Sequence, residues 1–264
     1  MSFAILTRIA LAGVGTIALA GAAHANSAVG LIGDRTLVMF NTETLMVDGM
    51  MDVTGVDRLH GIDVRPADGW VYGVDSENNI VTIDLDSGEA TVSSTITESI
   101  GDGAMPSVDF NPVADRLRFM GSDGTNLRIN VETGETIVDG SLQFDEAGDN
   151  AGDAHNVVAT AYTNSVGSPE ATAMYDIDMD MLALLQQTAP NDGTLAVIGE
   201  LGIDSAESIA WDIYAEDVDM NTAYLAVGTV LYTVDLESGM ATEWGPIEGL
   251  DAPLRDMTVL PAEM

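Results

Sequence analysis

The repeat that indicates the fold reads Leu59-His-Gly-Ile-Asp-Val-Arg-Pro-Ala-Asp-Gly-Trp-Val-Tyr-Gly-Val74 at one occurrence and Pro106-Ser-Val-Asp-Phe-Asn-Pro-Val-Ala-Asp-Arg-Leu-Arg-Phe-Met-Gly121 at the next. Each stretch holds a short apolar strand, a proline turn and a second strand of alternating polarity. A third strand follows in both cases, at residues 80–85 and 127–131, and ends in a tight turn with glycine. The two stretches therefore predict one repeated unit of short strands.

The same turn recurs along the chain and sets the period of the repeat. It stands at Asn41-Thr-Glu-Thr44, Asp86-Ser87-Gly88, Glu132-Thr133-Gly134, Asp192-Gly193 and Glu237-Ser238-Gly239. Positions 44, 88, 134, 193 and 239 are separated by 44, 46, 59 and 46 residues. Periods of about 40–50 residues with several short strands per unit are typical of propeller blades. We therefore predict an all-β fold, a β-propeller of five blades, with an open sandwich or a solenoid as the alternatives.

The two ends of the repeat region indicate how the ring closes. The first unit, residues 28–53, lacks a clear innermost strand, and the chain ends in an unaccompanied strand at residues 255–261. A C-terminal strand that completes the first blade removes an exposed sheet edge. The sequence therefore predicts closure of the propeller by its C-terminal strand.

The N-terminal residues have the pattern of a signal peptide. Residues 1–8 carry one positive charge, residues 9–20 are apolar, and Ala23-His24-Ala25 is a small-x-small cleavage pattern. The apolar run is shorter than the roughly 20 residues that a membrane span needs. We expect a signal peptide at residues 1–25 and a single domain at residues 26–264. The mature protein is then exported to the periplasm or the medium, without membrane insertion.

The charge of the chain restricts its partners. It has 43 acidic residues against 8 basic ones, for a net charge of −35, and removal of Arg8 with the signal peptide makes the charge −36. Such a surface repels phosphate backbones, which excludes nucleic acid as a partner. A saline habitat, cation binding or a basic partner would each explain the charge, and its even spread favours the habitat. The chain has no cysteine, so a hydrophobic core must hold it together.

Several stretches resemble a known family. Val108–Phe119, followed by Asn126–Asn130 and Thr133-Gly134, is similar to a bacterial exported family catalogued as domain of unknown function 4394. Leu59–Pro66 and Ala161–Ser165 are similar to other parts of its pattern. The resemblance covers nearly all of the mature chain and implies a repeat β fold and export. It implies no activity and no catalytic residue.

Two histidines and nearby aspartates are candidate metal ligands. His60 and His155 both precede innermost strands, so both are expected near one mouth of the channel. With Asp63, Asp109 or Asp153 they would make a His-carboxylate metal site. The alternative, which we favour, is that each histidine is a loop residue bonded to backbone. The chain has no Gly-x-Ser-x-Gly elbow and no cysteine zinc set.

An acidic, glycine-rich loop is a second candidate metal site. Residues 145–153 place Asp145, Asp149 and Asp153 in a segment that could wrap a hard cation such as calcium. The loop lacks the full EF-hand pattern, so a solvated loop is the simpler interpretation. No other cofactor is indicated.

The arginines are expected to make structural ion pairs. Arg65, Asp115, Arg116 and Arg128 lie in neighbouring units and could tie blades together through bidentate pairs. Arg65 or Arg255, if it faces the channel, could instead hold a substrate carboxylate.

Two functional hypotheses follow. The first is a non-catalytic binding or scaffold module, stabilised by calcium, whose ligand is a protein, a glycan or a small molecule. The second is a metal-dependent hydrolase or lactonase-like enzyme with its site at the channel mouth. Clustering of His60, Asp63, Asp109 and His155 favours the enzyme, and dispersal around the rim favours the binding module.

Overall fold

The computed structural model describes residues 27–262, and every regular element in that range is a β-strand. The signal peptide predicted at residues 1–25 lies outside the described residues. No helix in the described part of the chain has the length and apolarity needed to cross a membrane. The strands of the first half of the chain are β1 (Ser27–Ile32), β2 (Thr36–Asn41), β3 (Val47–Asp52), β4 (Leu59–Val64), β5 (Val71–Asp75), β6 (Asn79–Ile83), β7 (Ala90–Thr95), β8 (Pro106–Asn111), β9 (Arg116–Gly121), β10 (Asn126–Ile129) and β11 (Thr136–Val138).

The second half continues the same arrangement. Its strands are β12 (Gln143–Phe144), β13 (Val157–Tyr162), β14 (Met174–Asp178), β15 (Ala183–Ala189), β16 (Thr194–Glu200), β17 (Ile209–Asp217), β18 (Met220–Val227), β19 (Val230–Val234), β20 (Ala241–Pro246) and β21 (Asp256–Val259). The strands form five separate sheets, which are the blades of a five-bladed β-propeller. The predicted fold class is confirmed.

Four of the blades have four strands each, and blade 4 has five. From the innermost strand outward, blade 1 is β21-β1-β2-β3, blade 2 is β4 to β7, blade 3 is β8 to β11 and blade 5 is β17 to β20. Blade 4 is β13 to β16, with β12 added outside β16 as a parallel strand. The inserted segment that contains β12 accounts for much of the longer repeat step of 59 residues.

The ring closes as the sequence predicts. Strand β21 pairs antiparallel with β1, with Ala28 opposite Val259 and Leu31 opposite Asp256. The innermost strand of blade 1 thus comes from the end of the chain, and the other three come from its beginning. This pairing covers the edge of β1 that would otherwise be exposed.

The glycine turns have the backbone geometry that their sequence predicts. Gly88, Gly134, Gly193 and Gly239 have φ values between 70° and 79°, in the left-handed region that glycine enters without steric cost. In blade 1 the left-handed position is taken by Leu45, with φ of 56°. The turn repeats because the same backbone conformation is needed between the third and fourth strands of each of these blades.

The hydrophobic core is divided among the blade interfaces. Five clusters of buried apolar side chains each join two neighbouring blades, so the ring has no single centre of packing. One cluster, for example, packs Phe40 of blade 1 against Leu231 of blade 5, and another packs Val81 of blade 2 against Leu31 of blade 1. Loss of any blade contact therefore exposes apolar surface on two sheets.

Truncation after Leu254 tests closure. The truncated chain loses β21, with its buried Met257 and Val259, and leaves the edge of β1 unpaired. Burial of each such side chain contributes about 1.5–3 kcal/mol, and about 1 kcal/mol shifts the melting temperature of a domain this size by about 2–4 °C. We expect a fall of about 10 °C or more in thermal unfolding followed by circular dichroism, and increased light scattering. A chain ending at Pro261 is the control, and equal melting temperatures for both chains would contradict closure by β21.

Candidate metal centre

The five innermost strands surround the axis of the propeller. Strands β4, β8, β13, β17 and β21 are neighbours in that order, and β21 returns to β4. Each belongs to a different sheet, so no ladder of backbone hydrogen bonds joins one to the next. The contacts between them must come from side chains.

Polar side chains supply those contacts in a repeated way. In four of the five innermost strands, a side-chain oxygen accepts a hydrogen bond from a backbone N–H of the innermost strand in the next blade. These bonds run from Val64 N to Thr258 Oγ1 at 3.2 Å, from Phe110 N to Asp63 Oδ2 at 2.7 Å, from Tyr162 N to Asp109 Oδ1 at 3.1 Å and from Val259 N to Asp212 Oδ2 at 2.6 Å. We call these four bonds the channel latch.

The residues of the channel latch occupy equivalent positions. In β4, β8 and β21, the residue that offers the side chain immediately precedes the residue whose N–H donates to the blade before it. Blade 4 is the exception, since Ala161 stands at this position and has no polar side chain. The N–H of Ile213 in blade 5 donates instead to Asp212 Oδ1 of its own strand, at 2.6 Å.

A fourth carboxylate lies in the channel, close to the channel latch. It belongs to Asp256, the first residue of β21, and its Oδ2 accepts a hydrogen bond from Ile62 N at 2.8 Å. Gly61 makes room for this contact, because a Cβ at position 61 would lie 2.6 Å from the same oxygen and 2.0 Å from Val108 Cγ2. Any larger residue there would separate blade 2 from its neighbours.

Three of the carboxylates converge. One oxygen each from Asp63, Asp109 and Asp212 can be chosen so that all three atoms lie within 4.8 Å of one another, and the three residues are buried. Within residues 27–262, neither these three nor Asp256 forms an ion pair with an arginine or a histidine. Asp63, Asp109 and Asp212 therefore share the channel without a basic side chain to balance them, whereas the charge of Arg255 acts on Asp256.

The pKa values of all four carboxyl groups are raised. Burial is the largest cause for each, because it disfavours the charged form. It raises the pKa of Asp212 to about 6 and that of Asp256 to about 7. The pKa values of Asp63 and Asp109 lie well above the usual range, and repulsion adds to burial there, from Asp212 on Asp63 and from Asp63 on Asp109. Ionisation of the whole group near neutral pH requires a compensating positive charge.

A small cavity reaches the cluster from the end of the channel where the innermost strands finish. It has a volume of about 100 Å³, and Asp63 and Asp212 lie in its wall. The rest of the lining includes Ser165, Tyr214 and Pro261. The space is large enough for an ion with a few water molecules.

The two histidines predicted as metal ligands lie elsewhere. His60 packs against Phe119, with ring centroids 5.6 Å apart, and its pKa is lowered by burial and by the charges of Arg58 and Arg255. His155 lies beside Gly124. Neither joins the carboxylate cluster, so the structure brings together only Asp63 and Asp109 of the predicted His-carboxylate set.

The acidic loop at residues 145–153 forms a series of exposed turns. Asp145 Oδ1 accepts a hydrogen bond from Ala147 N at 2.8 Å, and Asn150 Nδ2 donates to Asp153 Oδ2 at 3.3 Å. Asp149 is exposed. Among the described residues, these three aspartates do not converge on a common point as the channel carboxylates do.

The structure places the arginines in two kinds of contact. Arg65 of blade 2 makes a bidentate pair with Asp115 of blade 3, at 2.8 and 2.5 Å, and Arg128 makes one with Asp139, at 2.5 and 2.8 Å. Arg116 instead donates to backbone carbonyl oxygens, among them that of Asp115 at 2.8 Å.

Sequence reasoning did not select Asp212, Asp256 or Thr258 as site residues. The signal for Asp212 is present, because Ile-Asp-Val64, Val-Asp-Phe110 and Trp-Asp-Ile213 each place an aspartate between apolar residues of an innermost strand. A carboxylate inside an apolar strand is costly unless it is bonded or paired. An alignment of the repeated units by their glycine turns is enough to reveal the buried aspartate that these three innermost strands share.

Comparison with protein families identifies one match. The family model described as Domain of unknown function (DUF4394) matches residues 36–258. A comparison with curated proteins found no match.

Solved structures share the fold at low sequence identity. A structural genomics protein of unknown function from Bacteroides thetaiotaomicron is 14% identical with a TM-score of 0.52, covering 88% of this chain and 66% of its own. An auxiliary nutrient binding protein from the same organism is 14% identical with a TM-score of 0.51, covering 88% and 59%. A gluconolactonase from Xanthomonas campestris is 13% identical with a TM-score of 0.50, covering 88% and 79%. At these identities the likeness concerns the fold alone.

The raised pKa values predict how stability depends on pH when divalent cations are removed. A carboxyl group whose pKa is higher in the folded than in the unfolded state binds more protons when folded, so the free energy of unfolding falls as pH rises. With folded values of about 6 for Asp212 and about 7 for Asp256, we expect the fall between about pH 4 and pH 7. Denaturant unfolding in chelator, at several pH values, measures it.

High salt provides the control for this measurement. Repulsion among surface carboxylates also weakens the fold as pH rises, but salt screens exposed charges much more than buried ones. The fall is therefore expected to persist in 1 M salt and to become smaller in Asp256→Asn. A free energy of unfolding that rises from pH 5 to pH 7.5 in salt would contradict the assignment.

Proposed function

The chain belongs to the family described as Domain of unknown function (DUF4394), a description that names no activity, and from its own geometry we propose a cation-stabilised binding module. In this proposal the protein is exported, and its central channel holds one divalent cation on Asp63, Asp109 and Asp212. Calcium is the cation that the donor set favours. The convergence of three buried carboxylates that lack a basic partner carries the proposal.

The donor atoms suit calcium. Calcium binds oxygen ligands at about 2.3–2.6 Å, so two ligands on opposite sides of the ion are about 5 Å apart. Carboxylate oxygens within 4.8 Å of one another are compatible with that separation. A smaller ion such as magnesium requires a tighter octahedral shell and keeps more of its water. All ligands in the channel are oxygens, which disfavours zinc and copper.

A bound cation would also explain the burial of the channel latch. Its carboxylates must be acceptors for the N–H groups of neighbouring blades, and an ionised carboxylate accepts hydrogen bonds more strongly than a neutral one. Protonation offers the other means of neutralising the cluster, but it would weaken these bonds near neutral pH. A cation compensates the charges and keeps all carboxylates ionised.

The position of the histidines supports a binding module over an enzyme. A metal-dependent hydrolase needs a general base or acid within hydrogen-bond reach of the reacting group. His60 packs on Phe119, and His155 lies beside Gly124. Clustering of His60, His155, Asp63 and Asp109 would favour the enzyme. Of these four residues, only Asp63 and Asp109 lie together.

A metal-dependent hydrolase remains the second candidate because of the cavity beside Asp63 and Asp212. A channel ion could expose one coordination position to that space and polarise a carbonyl group there. Solved structures of this fold are named both as a binding protein and as a gluconolactonase, so both classes occur on it. Lactone hydrolysis followed by proton release, with calcium and with chelator, separates the candidates: calcium-dependent turnover above the uncatalysed rate supports the enzyme.

Asp109→Asn tests the cation site. The wild-type protein at a calcium concentration about 100 times the dissociation constant gains about 2.7 kcal/mol, which corresponds to about 5–10 °C in melting temperature. The variant keeps an oxygen that can accept the hydrogen bond from Tyr162 N but loses a charged ligand. We expect most of the calcium-dependent rise to disappear in differential scanning fluorimetry.

The same variant makes an opposite prediction without calcium. Removing one of several buried like charges relieves repulsion, so Asp109→Asn in chelator is expected to be at least as stable as the wild-type protein. Asp149→Asn is the matched control, because it makes the same charge change in the exposed loop and should keep the full calcium response. An equal response to calcium in wild type and Asp109→Asn would refute the channel site.

A further inference from the structure

The opposite mouth of the channel, where the innermost strands begin, has a different character. A cavity of about 320 Å³ opens there, and it is lined by Arg58, Arg255, Glu207 and Ser208 together with apolar side chains. The apolar part of the lining consists of Met105, Pro106, Val158, Met179, Ile209 and Pro253. Small-molecule sites have volumes of about 300–1,000 Å³ and combine apolar walls with a few polar groups.

Arg255 is held at this mouth by backbone carbonyl groups. Its guanidinium donates to the carbonyl oxygens of Gly33 at 2.5 Å, His60 at 3.0 Å and Asp34 at 3.0 Å, and also to that of Leu59. No carboxylate within the described residues lies in ion-pair distance of it. This is unusual in a chain with 43 acidic residues. The four carbonyl groups fix the orientation of the guanidinium, and the charges of Asp256 and Asp34 act on it without forming an ion pair.

Arg58 adds a second positive charge to the same cavity. Its nearest carboxylate is Asp34 at 3.5 Å, and the two side chains are 49% and 70% exposed. An exposed pair of this kind contributes little, so Arg58 can turn toward a ligand at small cost. The lowered pKa of His60 agrees with a concentration of positive charge here, since after burial its causes are Arg58 and Arg255.

We propose that this mouth binds a small organic carboxylate whose apolar body lies against Met105, Val158 and Ile209. Arg58 and Arg255 hold the carboxylate, and a guanidinium fixed by neutral acceptors is prepared for a charge-assisted hydrogen bond. Elsewhere the acidic surface repels anions, so the two arginines make this mouth the favoured place for a negative ligand. The cavity is not lined by Asp63, Asp109 or Asp212, so binding there does not require the channel cation.

Glu207 opposes the binding of an anion and therefore provides a sharp test. Its exposed carboxylate lines the cavity and forms no ion pair with Arg58 or Arg255 among the described residues. Glu207→Gln removes a repulsive charge and is expected to tighten binding severalfold. A role for the arginines that is purely structural would not produce this effect.

The experiment compares valerate with valeramide, which have the same carbon skeleton and differ in charge. Chemical-shift changes or ligand-observed NMR with the full mature chain, in excess calcium, give the dissociation constants. Valerate is expected to bind and valeramide to bind at least about tenfold more weakly, as for loss of a hydrogen bond to a charged group. Arg58→Gln is expected to weaken valerate binding by a similar factor.

The controls separate this site from other causes. Arg116→Gln makes the same charge change at a residue outside the cavity and should leave valerate binding unchanged. Equal binding of valerate and valeramide, no binding of either, or valerate binding that is unaffected by Arg58→Gln would overturn the proposal.

Discussion

The propeller depends on how its innermost strands are joined, because five separate sheets have no common backbone ladder. The channel latch solves this with side chains: carboxylates and one hydroxyl accept N–H groups across each boundary except the one that follows blade 4. The side chains must be short, polar and directed at the axis. Their use of aspartate brings negative charge into a space from which water is largely excluded, and the cost of that burial appears in the raised pKa values.

Much of the fold could be predicted from the sequence, since its causes are local. Glycine at positions 88, 134, 193 and 239 marks turns that need a left-handed backbone, and the spacing of those turns gives the number of blades. The C-terminal strand could be placed because an unpaired strand and an incomplete blade complement each other. The family resemblance is also confirmed, although it adds no activity.

The site was harder to predict, because it is assembled from residues that are far apart in sequence. Asp63 and Asp109 could be selected as acidic residues near the axis. Asp212 is far from them in sequence, and only the closed ring of blades brings its side chain beside theirs. Histidine is a common metal ligand, which made His60 and His155 candidates. A strand directs successive side chains to opposite faces, however, so His60 contacts Phe119 while Asp63 points to the channel. The acidic loop at 145–153 had suitable composition, and its local turns keep its carboxylates apart.

The side chains that line the two ends of the channel differ, and the proposed cation and the proposed anion bind in different places for that reason. Asp63, Asp109 and Asp212 occupy the interior, and a cavity of about 100 Å³ reaches Asp63 and Asp212 from one end. Arginines occupy the other end, in a chain that has very few. A cation in the channel would strengthen the ring, and an organic anion at the opposite mouth would then be the ligand of the module. A crystal structure of the mature protein grown with calcium would show whether the channel holds the ion. We expect one calcium ion within about 2.3–2.6 Å of oxygens from Asp63, Asp109 and Asp212. Water alone between these carboxylates at saturating calcium would contradict it.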